Sequence, residues 1–225
     1  MAAANEDMDK IKKVVKAALQ TVAAISSAAS VINPLFGLAG SLIKVVLVNM
    51  DDEDVKILKQ QFKTVGDDLD RISEQNRNTL LEIRKGTVDS QYFKLEENIK
   101  NQYRMYMEVV EASPAAKECK KKEFLKSYSN DNGDQNLHTL YDGVMGKSKL
   151  FSRPILEVYM QYSQKDKKVM EKLCERLNHL FYIGLIALMG FSALIQDDEE
   201  QIDEDWHERM NNVQKKMAEV LSSCN

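Results

Sequence analysis

The sequence predicts an all-α fold, an elongated multi-helix bundle in which long antiparallel helices surround an apolar central helix, formed as a single domain over residues 1–225. Three observations predict it. Proline and glycine are scarce, 3 and 9 in 225 residues, so the chain has little of the punctuation that sheets require. Apolar residues recur at steps of three and four over long stretches, the spacing that gathers them on one helical face. Residues 181–195 contain no charge, and a helix that is apolar on every side must be enclosed by something.

Residues 8–31 read as a first helix. Ile11, Val15, Ala18, Val22 and Ile25 step at three and four, while Lys10, Lys12, Lys13 and Lys16 crowd its first half. Asn33-Pro34 ends it, because proline disfavours the α region at the preceding residue and donates no N–H to the ladder. A second, mostly apolar helix follows over residues 35–48. Asp51 or Asp52 then caps a helix whose inward positions are Val55, Leu58, Phe62, Val65, Leu69, Ile72, Asn76, Leu80 and Ile83, with Asn76 a polar residue that could fix register. After Lys85-Gly86 the spacing resumes through Val88, Tyr92, Leu95, Ile99, Tyr103, Tyr106 and Val110, so two long antiparallel helices joined by a short turn are expected.

Ser113-Pro114 starts a shorter helix through Phe124, Leu125 and Tyr128, with proline at its first position. Residues 129–135 read as a polar loop, and residues 137–145 as a short helix closed by Gly146. Ser152-Arg153-Pro154 opens the next helix, and no breaker follows until Gln196. That makes roughly 40 residues and about 60 Å, with a kink expected near Gly184 or Gly190. The last helix follows the acidic run 197–200 and sets Ile202, Trp206, Val213, Met217 and Leu221 on one stripe.

Composition and motifs exclude several kinds of chemistry. A net charge of -4 supplies no positive field for nucleic acid. Cys119, Cys174 and Cys224 are widely spaced and odd in number, which argues against a disulfide framework or a zinc site. Residues 1–7 have no basic region leading into an apolar one, so a reducing cytoplasm is the expected setting, with peripheral or conditional membrane association. Asn130-Asp131-Asn132-Gly133-Asp134 resembles a calcium loop only superficially. With Gly133 at the sixth position, Tyr128 and Thr139 fall where acidic ligands are needed. His138, His179 and His207 lie too far apart to pair on a metal, and no phosphate loop, dinucleotide fingerprint or nucleophile elbow is present. No catalytic residue, cofactor or metal is expected.

Residues 197–208 carry eight carboxylates, several at a helix start where the dipole favours negative charge. They read as capping and solvation, or as contacts to a basic partner, or as an acid-sensitive segment. The apolar run 181–195 admits two readings. It spans about 22 Å, short of a bilayer's roughly 30 Å hydrocarbon core. It is either a core helix or a concealed helix that enters a membrane after rearrangement. The stretch 22–48 adds a second apolar region with small residues that allow close helix approach. Leu35, Phe36, Leu38, Leu42, Phe181, Ile183, Leu185, Ile186, Leu188, Met189 and Phe191 are the candidate membrane contacts.

The ordered motifs Ile32-Asn33-Pro34-Leu35-Phe36-Gly37, Gly143-Val144-Met145-Gly146, Arg153-Pro154-Ile155-Leu156-Glu157-Val158-Tyr159 and His179-Leu180-Phe181 running into Ala187-Leu188-Met189 resemble the rapunzel family of bony fishes over nearly the whole chain. That resemblance implies a vertebrate protein of skeletal and fin development or of immune regulation, without enzymatic activity. The family is distantly similar to the helical part of cephalotoxin-like proteins and, more loosely, to helical-bundle pore-forming toxins that keep an apolar helix at the centre. Two functions follow as expectations: a non-enzymatic bundle that binds or conditionally inserts into membranes, and a soluble intracellular adaptor in development or innate immune signalling. Membrane lipid, a protein partner and a second copy of the chain are the candidate partners.

Overall fold

The computed structural model describes residues 53–86, 90–148, 151, 153–195 and 199–225. The helices expected over residues 8–31 and 35–48 lie outside the described residues. Those described form eight α-helices and no strand: α1 Glu53–Gln75, α2 Arg77–Gly86, α3 Ser90–Glu111, α4 Pro114–Asn130, α5 Gln135–Met145, α6 Ile155–Tyr162, α7 Lys167–Ile195 and α8 Glu199–Ser222.

Helix α7 is the centre, packed most extensively on α1 and α3 and also touching α4, α5, α6 and α8. The contacts set the directions. Arg176 of α7 meets Ser73 of α1, and Ile183 lies below Gly66 and Leu69, so α1 runs antiparallel to α7. Arg176 also meets Glu96 of α3, while Gly184 faces Ile99 and Gly190 faces Tyr106, so α3 runs parallel to it. The long helices α1 and α3 are therefore antiparallel to each other with the apolar helix packed against both, as the sequence predicts. They are joined through α2, whose Arg84 lies 4.8 Å over the Phe93 ring.

Each helix buries the stripe its spacing dictates. Phe62, Leu69 and Ile72 of α1 face inward, as do Tyr92, Leu95, Ile99, Tyr106, Val109 and Val110 of α3, and Trp206, Met210, Val213 and Met217 of α8. Each large apolar side chain so removed from water stabilises by about 1.5–3 kcal/mol.

The expected long helix over residues 51–85 is divided at Asn76. Its amide Nδ2 donates to the Ile72 carbonyl at 2.8 Å, and the backbone N–H of Asn76 donates to the same oxygen at 3.2 Å. The side chain thus competes for the helical ladder, a habit of Asn that weakens helix interiors. Its role is this local bond.

The expected 40-residue helix is corrected more sharply. It breaks between α6 and α7, not at either glycine. Gln164 and Lys165 both take left-handed backbone, with φ of 52° and 61°. The turn is held by Lys165 N–H to Met160 O, Asn225 N–H to Lys165 O and Lys167 N–H to Asn225 O, and Asp166 Oδ1 caps α7 by accepting from Val169 N–H at 3.0 Å. Gly184 and Gly190 instead sit inside α7, where absence of a side chain permits contact. A Cβ on Gly184 would fall 2.6 Å from Leu137, and one on Gly190 2.3 Å from Tyr106.

The loop that superficially resembles a calcium site is tied to the fold by its own amides. Asn101 Nδ2 donates to Asp131 Oδ2 at 2.6 Å and Gln102 Nε2 to Gly133 O at 2.9 Å, while Asn136 Nδ2 bonds Asp131 O. Asn132 and Gly133 provide the two left-handed residues of the turn, and Gly146, with φ 73°, closes α5 as the sequence predicts.

Candidate functional site

The 29 residues of α7 divide into a polar base and an apolar shaft. In the shaft Phe181, Ile183, Leu185, Ile186, Leu188 and Met189 are buried, and Phe191 is half-buried. The structure therefore brings these seven candidate membrane contacts together along one helix, and their apolar surface is turned into the bundle. Ile195, at the tip, is 47% exposed. Leu35, Phe36, Leu38 and Leu42 lie outside the described residues. Among the described residues α7 alone is long and apolar enough to cross a membrane, and 72% of its most apolar stretch is buried.

The base is anchored by polar contacts to three neighbours. Arg176 and Glu96 form an ion pair whose side chains are 3% and 2% exposed, and Arg176 Nε also donates to Ser73 Oγ at 2.7 Å. Lys100, one turn along α3, adds a second cation 2.9 Å from Glu96 Oε1. One guanidinium nitrogen, Nη1, has no hydrogen-bond partner among the described residues. Beside the pair Tyr92 and Tyr159 bond hydroxyl to hydroxyl at 2.8 Å, tying α3 to α6. Asn178 accepts from Gln214 of α8 at 3.2 Å, and the His179 ring nitrogen Nδ1 lies 2.8 Å from the Glu175 carbonyl one turn back.

Burial on its own would raise the Glu96 carboxyl, but Arg176 first and Lys100 second outweigh it and hold the group below its ordinary range. Tyr92 shifts the other way. Its burial, then the neighbouring Tyr159 and Glu96, push the phenol well up and keep it a neutral hydrogen-bonding group. The charge at the base of α7 is thus ionic and enclosed: Glu96 takes two cations, Arg176 and Lys100, whereas Glu96 is the carboxylate paired with Arg176, so loss of Glu96 leaves a buried guanidinium uncompensated.

The sequence reading missed this cluster, though a signal for it exists. Arg176 falls in the apolar line Val169, Leu173, Arg176, Leu180, and Glu96 in the line Tyr92, Glu96, Ile99, Tyr103. A charge at an inward position on each of two helices is what a buried pair leaves in a sequence. Among the described residues no group of three or more His, Cys, Asp and Glu side chains is placed to hold a metal.

An apolar shaft over a polar base, wrapped by amphipathic helices, is the arrangement against which relatives can be compared. Residues 49–225 match the cephalotoxin-like middle helical domain. The chain is 57% identical over 219 residues to protein rapunzel of Danio rerio, covering 97% of this chain and 96% of that relative. The chain belongs to the rapunzel family. No solved structure matches it. For a rapunzel-family protein the cephalotoxin-like domain thus takes in all eight described helices, the enclosed α7 and its charged base included.

Proposed function

We propose that this rapunzel-family protein is a non-enzymatic helical bundle of the cytoplasm that stores α7 inside its fold and places it in a membrane when the bundle is opened. The observation that carries the reading is that the described helix with the length and composition of a membrane span is also the central helix of the bundle. Three free thiols support a reducing compartment. Exposing the shaft in water costs about 1.5–3 kcal/mol for each large side chain, so release needs a trigger such as anionic lipid, acid or oligomerisation. The developmental or immune setting implied by the family resemblance is proposed with it.

The test uses the full chain carrying Cys119→Ser, Cys224→Ser and Ile195→Cys, labelled with an environment-sensitive dye at position 195, the exposed tip of the shaft. Neutral and anionic vesicles are added at pH 7.4 and 5, and dye emission and vesicle leakage are followed together. A blue shift quenched by acyl-chain quenchers, with leakage, supports insertion. An unchanged emission with all vesicles sinks it.

A soluble adaptor acting through protein contacts is the second reading. It is favoured by a cleft of about 350 Å3 between α1 and α3, floored by Ile183 and edged by Lys63, Asp67, Asp70 and Arg104. One stable protein partner captured without lipid would support it.

A further inference from the structure

Residues 223–225 follow Ser222, the last residue of α8, and fold back over the start of α7. Asn225 N–H donates to Lys165 O at 3.0 Å and Asn225 O accepts from Lys167 N–H at 3.1 Å, which clasps the left-handed α6–α7 turn. Ser223 Oγ donates to Met160 Sδ at 3.5 Å, and Cys224 packs half-buried against the core. Further along, Gln214 donates to Asn178. The contacts to Lys167 and Asn178 are equally spaced on both segments, so α8 and the residues after it run antiparallel down one face of α7.

Cys174 lies on that face, one turn before Asn178 and two turns after Lys167, and is 4% exposed. Side chains on a helix lean toward its N-terminus, which carries the Cys174 sulfur toward Cys224. The electrostatics agree. Burial first pushes the Cys174 thiol up, to about 12, and Cys224 adds to this ahead of Glu171, a near neighbour on the same helix. A charge acts more weakly with distance, so Cys224 is held beside Cys174. Cys119 is exposed on α4, near the other end of the bundle.

A disulfide needs its two Cα atoms within about 7 Å. The register sets Cys224 beside the first turn of α7, roughly 9 Å below Cys174 at 1.5 Å per residue, so closure moves residues 223–225 along α7. Lying outside the helix, they are held to α7 by the two Asn225 bonds.

We propose that Cys174 and Cys224 are a peroxide-sensitive pair whose disulfide draws residues 223–225 off the α6–α7 turn. Hydrogen peroxide meets half-buried Cys224 first and gives its sulfur one oxygen, forming a sulfenic acid and one water. The Cys174 sulfur then bonds to the Cys224 sulfur as the S–O bond breaks, and its proton leaves with the hydroxide as a second water. The thiols lose two electrons and two protons, which the peroxide takes up. Burial keeps the Cys174 thiolate scarce, so the second step is the slow one, and Cys174 is reached from within the fold instead of from solvent. The inference does not rest on membrane insertion.

The full chain carrying Cys119→Ser is treated with hydrogen peroxide, its remaining thiols are alkylated, and its peptides are mapped by mass spectrometry with and without reductant. The expected result is a reducible link between Cys174 and Cys224 within one copy, with loss of hydrogen-exchange protection at the Lys167 amide that reductant restores. Cys224 carried on to sulfinic acid, or joined to a second copy, with Cys174 still free overturns the proposal. So does a linked pair whose Lys167 amide stays protected. In Cys174→Ala, Cys224 should accumulate the sulfinic acid that the parent avoids, and an equal yield of that acid in both also overturns it. Should that variant fail to fold, the peptide map of the parent decides alone.

Discussion

Arg176 and Glu96 meet inside the bundle, 80 positions apart in the chain, and join the base of the apolar helix α7 to α3. Removing Glu96 leaves Arg176 charged and enclosed, which typically costs about 3–5 kcal/mol; removing Arg176 leaves Glu96 with Lys100, 2.9 Å away, and costs less, and replacing both with apolar groups of similar volume is often close to neutral. Glu96→Leu should destabilise severely and Arg176→Met less, and the double variant should recover most of the larger loss. Denaturant midpoints for the four proteins of the cycle measure this; strictly additive losses would mean that the two residues act independently.

The same pair sets an acid limit. The Glu96 carboxyl is held below its ordinary value of 4.5 in the folded chain, so the unfolded chain takes up its proton first as pH falls. Its stabilisation is whole above that ordinary value and is lost as pH drops through the lower folded value. From pH 7.4 to 5 the pair therefore stays ionised, and any trigger near pH 5 must act elsewhere. Thermal melts of the unaltered chain and Glu96→Gln should stay well separated at pH 7.4 and 5 and draw together only as pH falls below 4.5. Convergence already at pH 5 would contradict the assigned direction of the shift.

Gly190 is a contact glycine. With the Tyr106 ring 2.3 Å from where a Cβ would stand, Gly190→Ala forces the ring or the helix to move. Overpacking of this kind costs about 1–3 kcal/mol, more than the gain in helix propensity of about 1 kcal/mol. Gly190→Ala should lower the denaturant midpoint, and adding Tyr106→Leu should restore part of it. A midpoint raised by Gly190→Ala alone would show that the site has room.

How much of this was legible in the sequence varies with the kind of signal. The all-α class, the stripes of α3 and α8 and the enclosed shaft were legible because hydrophobic period reports them directly. Gly146 was legible as a helix end because a left-handed residue there favours glycine. The break at Gln164-Lys165 was not, since neither residue is a customary breaker and the turn depends on hydrogen bonds from Asn225, distant in sequence. The Arg176–Glu96 pair was half legible: each charge interrupts an apolar line, but only the packing of α3 beside α7 shows that they meet.

The Gln164-Lys165 turn gives a stability prediction of opposite sign. Left-handed backbone costs a residue with a Cβ about 1–2 kcal/mol, partly offset on change to glycine by about 0.5–1 kcal/mol of added freedom in the unfolded chain. Lys165, at φ 61°, is exposed, so Lys165→Gly should leave packing alone and raise stability by up to about 1 kcal/mol. Lys165→Ala keeps the Cβ and should give no such gain. Equal midpoints for the two variants would mean that the turn carries no strain to relieve.

The three thiols report whether α7 is ever open. Cys119 is exposed on α4, Cys224 is intermediate near the chain's last helix, and Cys174 is buried in the polar base of α7. Alkylation needs a thiolate that the reagent can reach, so burial orders the rates: Cys119 first, Cys224 next, Cys174 last. In native buffer the Cys174 rate should rise with urea at the slope of global unfolding, because its neighbours Leu173 and Leu177 are fully enclosed and local fraying does not uncover it. Peptide mass spectrometry after timed alkylation follows all three sites at once. Fast labelling of Cys174 with a shallow urea slope would show α7 opening as a unit apart from the rest of the bundle, placing the release step in the resting protein instead of in its response to a trigger.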